Sequence, residues 1–144
     1  VYMKVFDLMS ESVVSVGASE PVTAAARLLK KYNIGALPVC DDKGKLKGMV
    51  TDRDIALRCV AADLSPDKAT VSDIMTRGAV TIDENAYIGD AARIMAEAQI
   101  RRLPVCRDGT LVGMLSLGDL ARNTECDTEA AEALCEISKN IKRL

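Results

Sequence analysis

Ile34-Gly35-Ala36-Leu37-Pro38-Val39-Cys40 leads through Asp42-Lys43-Gly44 into Leu46-Lys47-Gly48-Met49-Val50 and closes on Thr51-Asp52-Arg53-Asp54. The phrase returns as Ile100-Arg101-Arg102-Leu103-Pro104-Val105-Cys106, then Asp108-Gly109, then Gly113-Met114-Leu115-Ser116-Leu117-Gly118-Asp119. In each copy two runs of strand formers flank a short turn whose glycine can supply a positive φ, which predicts a β-hairpin. Two copies of one small unit predict a shared architecture. A period of about sixty residues is too long for most solenoids and too short for comfortable independent domains, so the copies are expected to lean on one another.

Working outward, Val5-Phe6-Asp7-Leu8-Met9-Ser10 aligns with Val71-Ser72-Asp73-Ile74-Met75-Thr76, and the match extends to Asp54-Ile55-Ala56 and Asp119-Leu120-Ala121. Val13 to Val16 and Ala79 to Ile82 read as first strands. Helices follow from about Pro21 to Tyr32, with Ser19 as N-cap, and from about Ile88 to Ala98, with Asn85 in the cap position. After the hairpin, Ile55 to Ala62 reads as a second helix of the unit. Each repeat is therefore strand, helix, strand, strand, helix. The crossover makes the first two strands parallel and the hairpin makes the third antiparallel, giving a small mixed sheet. One sheet face per unit stays apolar, and packing the two faces together is the expected remedy.

The predicted class is α/β (α+β), with repeat 1 at 5–62, repeat 2 at 67–123 and a helical tail at 124–144. In the tail Leu134, Ile137, Ile141 and Leu144 form one apolar stripe, suited either to docking on this chain or to contact with a second subunit.

Bulk properties narrow the function. The 144 residues are 49% hydrophobic and 28% charged, with a net charge of −2, which is ordinary soluble-globular composition. Lys and Arg are spread along the chain and aromatics are scarce, so no nucleic-acid footprint is expected. No apolar run approaches the roughly 20 residues that span a bilayer, and a signal-peptide core is lacking, so a cytoplasmic protein starting naturally at Met3 is expected. Cys40, Cys59, Cys106, Cys126 and Cys135 lack metal-ligand spacing, and the chain has no His, so no metal site is expected. Reduced thiols acting as small apolar residues are the plain reading, and thiol redox sensing is the sharper one.

The chemistry-bearing motif is a small hydroxyl residue at a strand end followed three places later by Asp: Thr51 with Asp54, Ser116 with Asp119. The same spacing is a helix-capping signature. Gly48 and Gly113 precede it, where a missing side chain admits a ligand or another backbone. A carboxylate repels phosphate but suits two neighbouring hydroxyls, as on a ribose, through charge-assisted hydrogen bonds. Hydroxyl plus Asp therefore fits a nucleoside or nucleotide better than a bare anion. Catalysis lacks parts: there is no His, no Walker-type loop and no base beside a nucleophile.

Over nearly all of Val5 to Asn123 the chain resembles a tandem pair of CBS (cystathionine β-synthase) domains. The resemblance rests on the doubled Leu-Pro-Val strand, the Gly-containing turn, the Gly-Met-Val-Thr-Asp-Arg-Asp and Gly-Met-Leu-Ser-Leu-Gly-Asp motifs and the Val-x-Asp-x-Met openings. It implies a pseudo-twofold module with two clefts for adenosine-type ligands such as AMP, ADP, ATP or S-adenosylmethionine. It further implies that each cleft draws on both repeats: Val14, Ile34 and Gly35 with Ser116 and Asp119, and Val80, Ile100 and Arg101 with Thr51 and Asp54. Arg101 and Arg53 make the Asp54 cleft the expected phosphate binder, while Arg102 could serve either cleft.

The expected function is a non-enzymatic regulatory sensor, a homodimer acting on an unknown protein target, without membrane or nucleic-acid partners. A ligand-free dimerisation scaffold and a thiol redox sensor are the alternatives.

Overall fold

In the computed structural model, the described residues are 3–122, Ala133 and Ile137. They run α1 (Val5–Leu8), β1 (Val16–Gly17), α2 (Val22–Tyr32), β2 (Ala36–Cys40), β3 (Leu46–Thr51), α3 (Asp52–Asp54) continued by a π-helical stretch (Ile55–Val60), α4 (Val71–Ile74), β4 (Thr76–Arg77), β5 (Ile82–Asp83), α5 (Ile88–Ala98), β6 (Arg102–Arg107), β7 (Thr110–Ser116) and α6 (Leu117–Ala121). The chain divides into two compact units, and neither is one sequence repeat. Val14–Ala79 with Gly109–Leu111 forms the Thr51 unit. The described residues of 3–13, 80–108 and 112 onward form the Ser116 unit.

The Thr51 unit holds a mixed sheet of order β1-β2-β3-β4. As the crossover requires, β1 is parallel to β2, and β3 is antiparallel to β2 with Ala36 opposite Thr51. The fourth strand comes from the opening of repeat 2 and pairs Gly48 with Arg77 and Met49 with Thr76. Val16, Val22, Ala25, Leu37, Val39, Val50, Cys59, Val71 and Ile74 close the core. Each large aliphatic side chain withdrawn from water contributes about 1.5–3 kcal/mol.

The Ser116 unit repeats the plan with order β5-β6-β7. Here the opening of repeat 1 takes the fourth position as a single antiparallel bridge, Ser10 opposite Met114. Val5, Ile88, Met95, Leu103, Val105, Leu115 and Leu120 form the core, which Ala133 and Ile137 also join. Ile137 of the tail stripe thus docks on this chain; Leu134, Ile141, Leu144, Cys126 and Cys135 lie outside the described residues.

Three local expectations are corrected. The first strands are shorter than predicted and lie at the ends of the apolar runs. Neither Ser19 nor Asn85 caps its helix. The first backbone N–H of α2 is satisfied by the Ala69 carbonyl at 2.9 Å, and that of α5 by the Met3 carbonyl at 3.0 Å. A neighbouring chain segment replaces the side-chain cap, which no local pattern encodes. The second helix of repeat 1 starts at Asp52 and widens to i→i+5 bonding, with the Ala61 N–H donating to Ala56 O at 2.8 Å. Among the described residues no helix is long and apolar enough to cross a membrane.

Candidate functional site

Each strand-to-helix turn is built twice to one pattern. In the Thr51 unit, the Thr51 backbone N–H donates to Asp54 Oδ2 at 3.0 Å, and the Asp54 N–H donates to Thr51 Oγ1 at 2.9 Å. In the Ser116 unit, the Ser116 N–H donates to Asp119 Oδ2 at 2.8 Å and the Asp119 N–H to Ser116 Oγ at 3.0 Å. These are complete capping boxes. They leave each hydroxyl its own hydrogen to donate, and each carboxylate the lone pairs of Oδ1 and one more on Oδ2. The motif can therefore cap a helix and still offer a diol the hydroxyl hydrogen and a carboxylate lone pair not used by the arginine at Oδ1.

The turn is fastened to the preceding strand at matching places. The Asp52 N–H donates to Gly35 O at 3.1 Å, and the Leu117 N–H to Arg101 O at 2.8 Å. Val14, Ile34, Gly35, Thr51, Arg53 and Asp54 thus belong to one unit, and Val80, Ile100, Arg101, Arg102, Ser116 and Asp119 to the other. Val14 and Ile34 pack partly buried against the first core, and Ile100 against the second, whereas Val80 is exposed. Arg53, Arg101 and Arg102 are exposed.

The two carboxylates differ in their surroundings. Asp54 is buried, with Arg58 Nε 3.8 Å from Oδ1 and the Thr76 hydroxyl donating to Oδ2 at 3.5 Å. Arg58 is itself tied down, Nη1 donating to Ile74 O at 3.3 Å and Met75 O at 3.2 Å. Asp119 is half-buried and pairs with exposed Arg122. Sequence reasoning missed Arg58, Thr76, Asp52 and Arg122. The i,i+4 spacing of Asp54 and Arg58 and the i,i+3 spacing of Asp119 and Arg122 are the signals that could have found partners. Thr76 arrives from the other repeat.

Gly48 and Gly113 are explained by backbone approach. A Cβ on Gly48 would lie 2.4 Å from Thr76 O, and one on Gly113 2.6 Å from Met9 Sδ and 2.9 Å from Ser10 O. The opening segments need the room.

Cys40, Cys59 and Cys106 are buried thiols. Burial, and then the charge of Asp83, push the Cys106 thiol up, so it stays protonated at neutral pH. Among the described residues no cluster of His, Cys, Asp or Glu could hold a metal ion.

Known proteins share this fold. A relative from Bacillus subtilis, "CBS domain-containing protein YhcV", is 42% identical over 92% of this chain and 93% of its own length. "Hypoxic response protein 1" of Mycobacterium tuberculosis is 41% identical over 81% of this chain and 82% of its own. Among solved structures, CBSX2 in complex with AMP superposes with a TM-score of 0.71 at 32% identity, over 83% of this chain and 93% of that one. The CBS domain pair of MJ0100, in complex with 5′-methylthioadenosine and S-adenosyl-L-methionine, gives 0.71 at 32% identity over 85% and 95%. The CBS domain model matches residues 5–60 and again 71–125. The chain belongs to the CBS domain family as a tandem pair.

Proposed function

We propose that this chain is a regulatory module, without catalytic chemistry of its own, that binds an adenosine-type ligand at each strand-to-helix turn. The observation that carries the reading is the doubled fastening of the motif: Gly35 O to the Asp52 N–H and Arg101 O to the Leu117 N–H put strand start and hydroxyl-Asp turn side by side within one unit. In this reading each site is taken within one unit. One takes Val14, Ile34, Gly35, Thr51 and Asp54, and the other Val80, Ile100, Arg101, Ser116 and Asp119. In each, apolar side chains and strand backbone face the base, while the carboxylate and the hydroxyl hold the ribose. The AMP bound by CBSX2 and the adenosine thioether and sulfonium bound by the MJ0100 pair support this ligand class.

Ligand occupancy shifts the module between arrangements by no more than the ligand's differential affinity for them, and a protein target reads that shift. Action in the cytoplasm as a homodimer belongs to the same reading, and exposed Leu57, Val60 and Leu64 offer apolar surface for association. The competing reading is a ligand-free scaffold, favoured by the completed capping boxes. Titration calorimetry separates them. Wild type should bind adenosine ligands, and Asp54→Ala and Asp119→Ala should each weaken one site about tenfold or more, the loss of a hydrogen bond to a charged group. Absence of binding to AMP, ATP, S-adenosylmethionine and 5′-methylthioadenosine alike would establish the scaffold.

A further inference from the structure

At matching positions the two turns share a backbone and exchange their charges. The Asp52 N–H to Gly35 O bond and the Leu117 N–H to Arg101 O bond are equivalent, yet the side chains beside them are opposite in character. In the Thr51 unit there is no side chain on Gly35, and Asp52 Oδ2 lies 3.5 Å from where its Cβ would be. In the Ser116 unit the same place carries Arg101, and the acid is replaced by buried Leu117. Ala36 against Arg102 widens the difference.

The wider neighbourhood points the same way. Around Asp54, Arg53 and Arg58 are balanced by Asp52 and Asp54, and Arg58 is already engaged by Asp54 and by the carbonyls of Ile74 and Met75. In the Ser116 unit Arg122 pairs with Asp119, and Arg101 and Arg102 are exposed on the strand start that Arg101 O fastens to the turn. A 5′-phosphate gains charge-assisted bonds from guanidinium groups and is repelled by a carboxylate, and the reverse holds for a 5′-sulfonium.

Resting on the adenosine-binding reading above, we propose that the sites are sorted by the charge of the 5′ group. The Ser116 unit takes the phosphorylated adenosine through Arg101. The Thr51 unit takes an adenosine with a neutral or cationic sulfur at C5′, because the bare Gly35 offers a phosphate no guanidinium at the Arg101 position and Asp52 beside it repels one, offsetting the exposed Arg53.

AMP and 5′-methylthioadenosine differ only at that position and serve as the probes. Calorimetry on wild type should give one AMP site per chain, and Arg101→Ala should weaken AMP about tenfold while changing 5′-methylthioadenosine by less than about twofold. Gly35→Arg with Asp52→Leu copies one turn onto the other and should create a second AMP site. Both positions are exposed, and Gly35 has no positive φ to strain the change. Circular dichroism verifies that the fold is retained. Two equal AMP sites in wild type, or an Arg101→Ala variant that binds AMP as tightly as wild type, overturns the sorting and leaves adenosine binding standing. Failure of both probes to bind wild type removes the sorting together with the reading beneath it.

Discussion

The Thr51 and Ser116 units have the same strand order, the same capping boxes and equivalent core positions, yet they hold their edges differently. In the Thr51 unit the opening segment of repeat 2 adds a true strand, Thr76–Arg77, while in the Ser116 unit the opening of repeat 1 makes one bridge at Ser10. The core tolerates little difference because buried side chains must interdigitate. Edge and turn residues face water or a neighbour and are free to diverge. Divergence between duplicated units therefore collects at the rims.

The comparison is tested most severely in the cores. Leu37 and Leu103 are both fully buried at matching positions, and each Leu→Ala change should cost about 2–5 kcal/mol in chemical denaturation. A cost below about 1 kcal/mol at one position only would break the equivalence of the cores.

A smaller and asymmetric effect is expected at the glycines. Gly48→Ala drives a Cβ to 2.4 Å from a paired strand carbonyl, whereas Gly113→Ala meets the flexible end of Met9 first and Ser10 O at 2.9 Å. Both should destabilise, by about 1–3 kcal/mol, with Gly48→Ala the larger. Thermal melts of the two variants side by side decide it, and equal losses would mean that the edges are held alike.

The smallest effect lies in the hairpin turns, where Asp41 stands opposite Arg107 in the alignment. The Lys45 backbone N–H, with help from the Lys43 N–H and the Lys47 charge, lowers the Asp41 carboxyl below its ordinary 3.8 despite opposing desolvation. The unfolded chain then binds the proton at higher pH, so the stabilisation is full above about pH 4 and is lost as pH falls through the lowered folded value. Asp41→Asn should flatten the acid limb of a melting-temperature profile. An unchanged limb would remove Asp41 from the comparison.

Much of this was legible because it is local. The β-α-β-β order, the helix limits of α5 and the parallel-then-antiparallel pairing follow from periodicity, turn glycines and handedness. The hydroxyl-Asp motif was readable as both cap and ligand group, and the structure bears out the cap. What the sequence hid is exchanged between repeats. The carbonyls of Ala69 and Met3 that replace Ser19 and Asn85 as caps, the fourth strand, and the Thr76 contact to Asp54 all come from distant segments, and spacing along one repeat carries no trace of them.

The traded openings bear on ancestry and on engineering. A lone copy of the repeat, cut from its sister, would carry a strand edge carved by a glycine for a segment that only the sister supplies. Two such copies could satisfy one another only by reciprocal exchange, so the smallest heritable unit of this fold is the pair, and fusion of the genes preserves a trade that two separate chains would first have to find by diffusion.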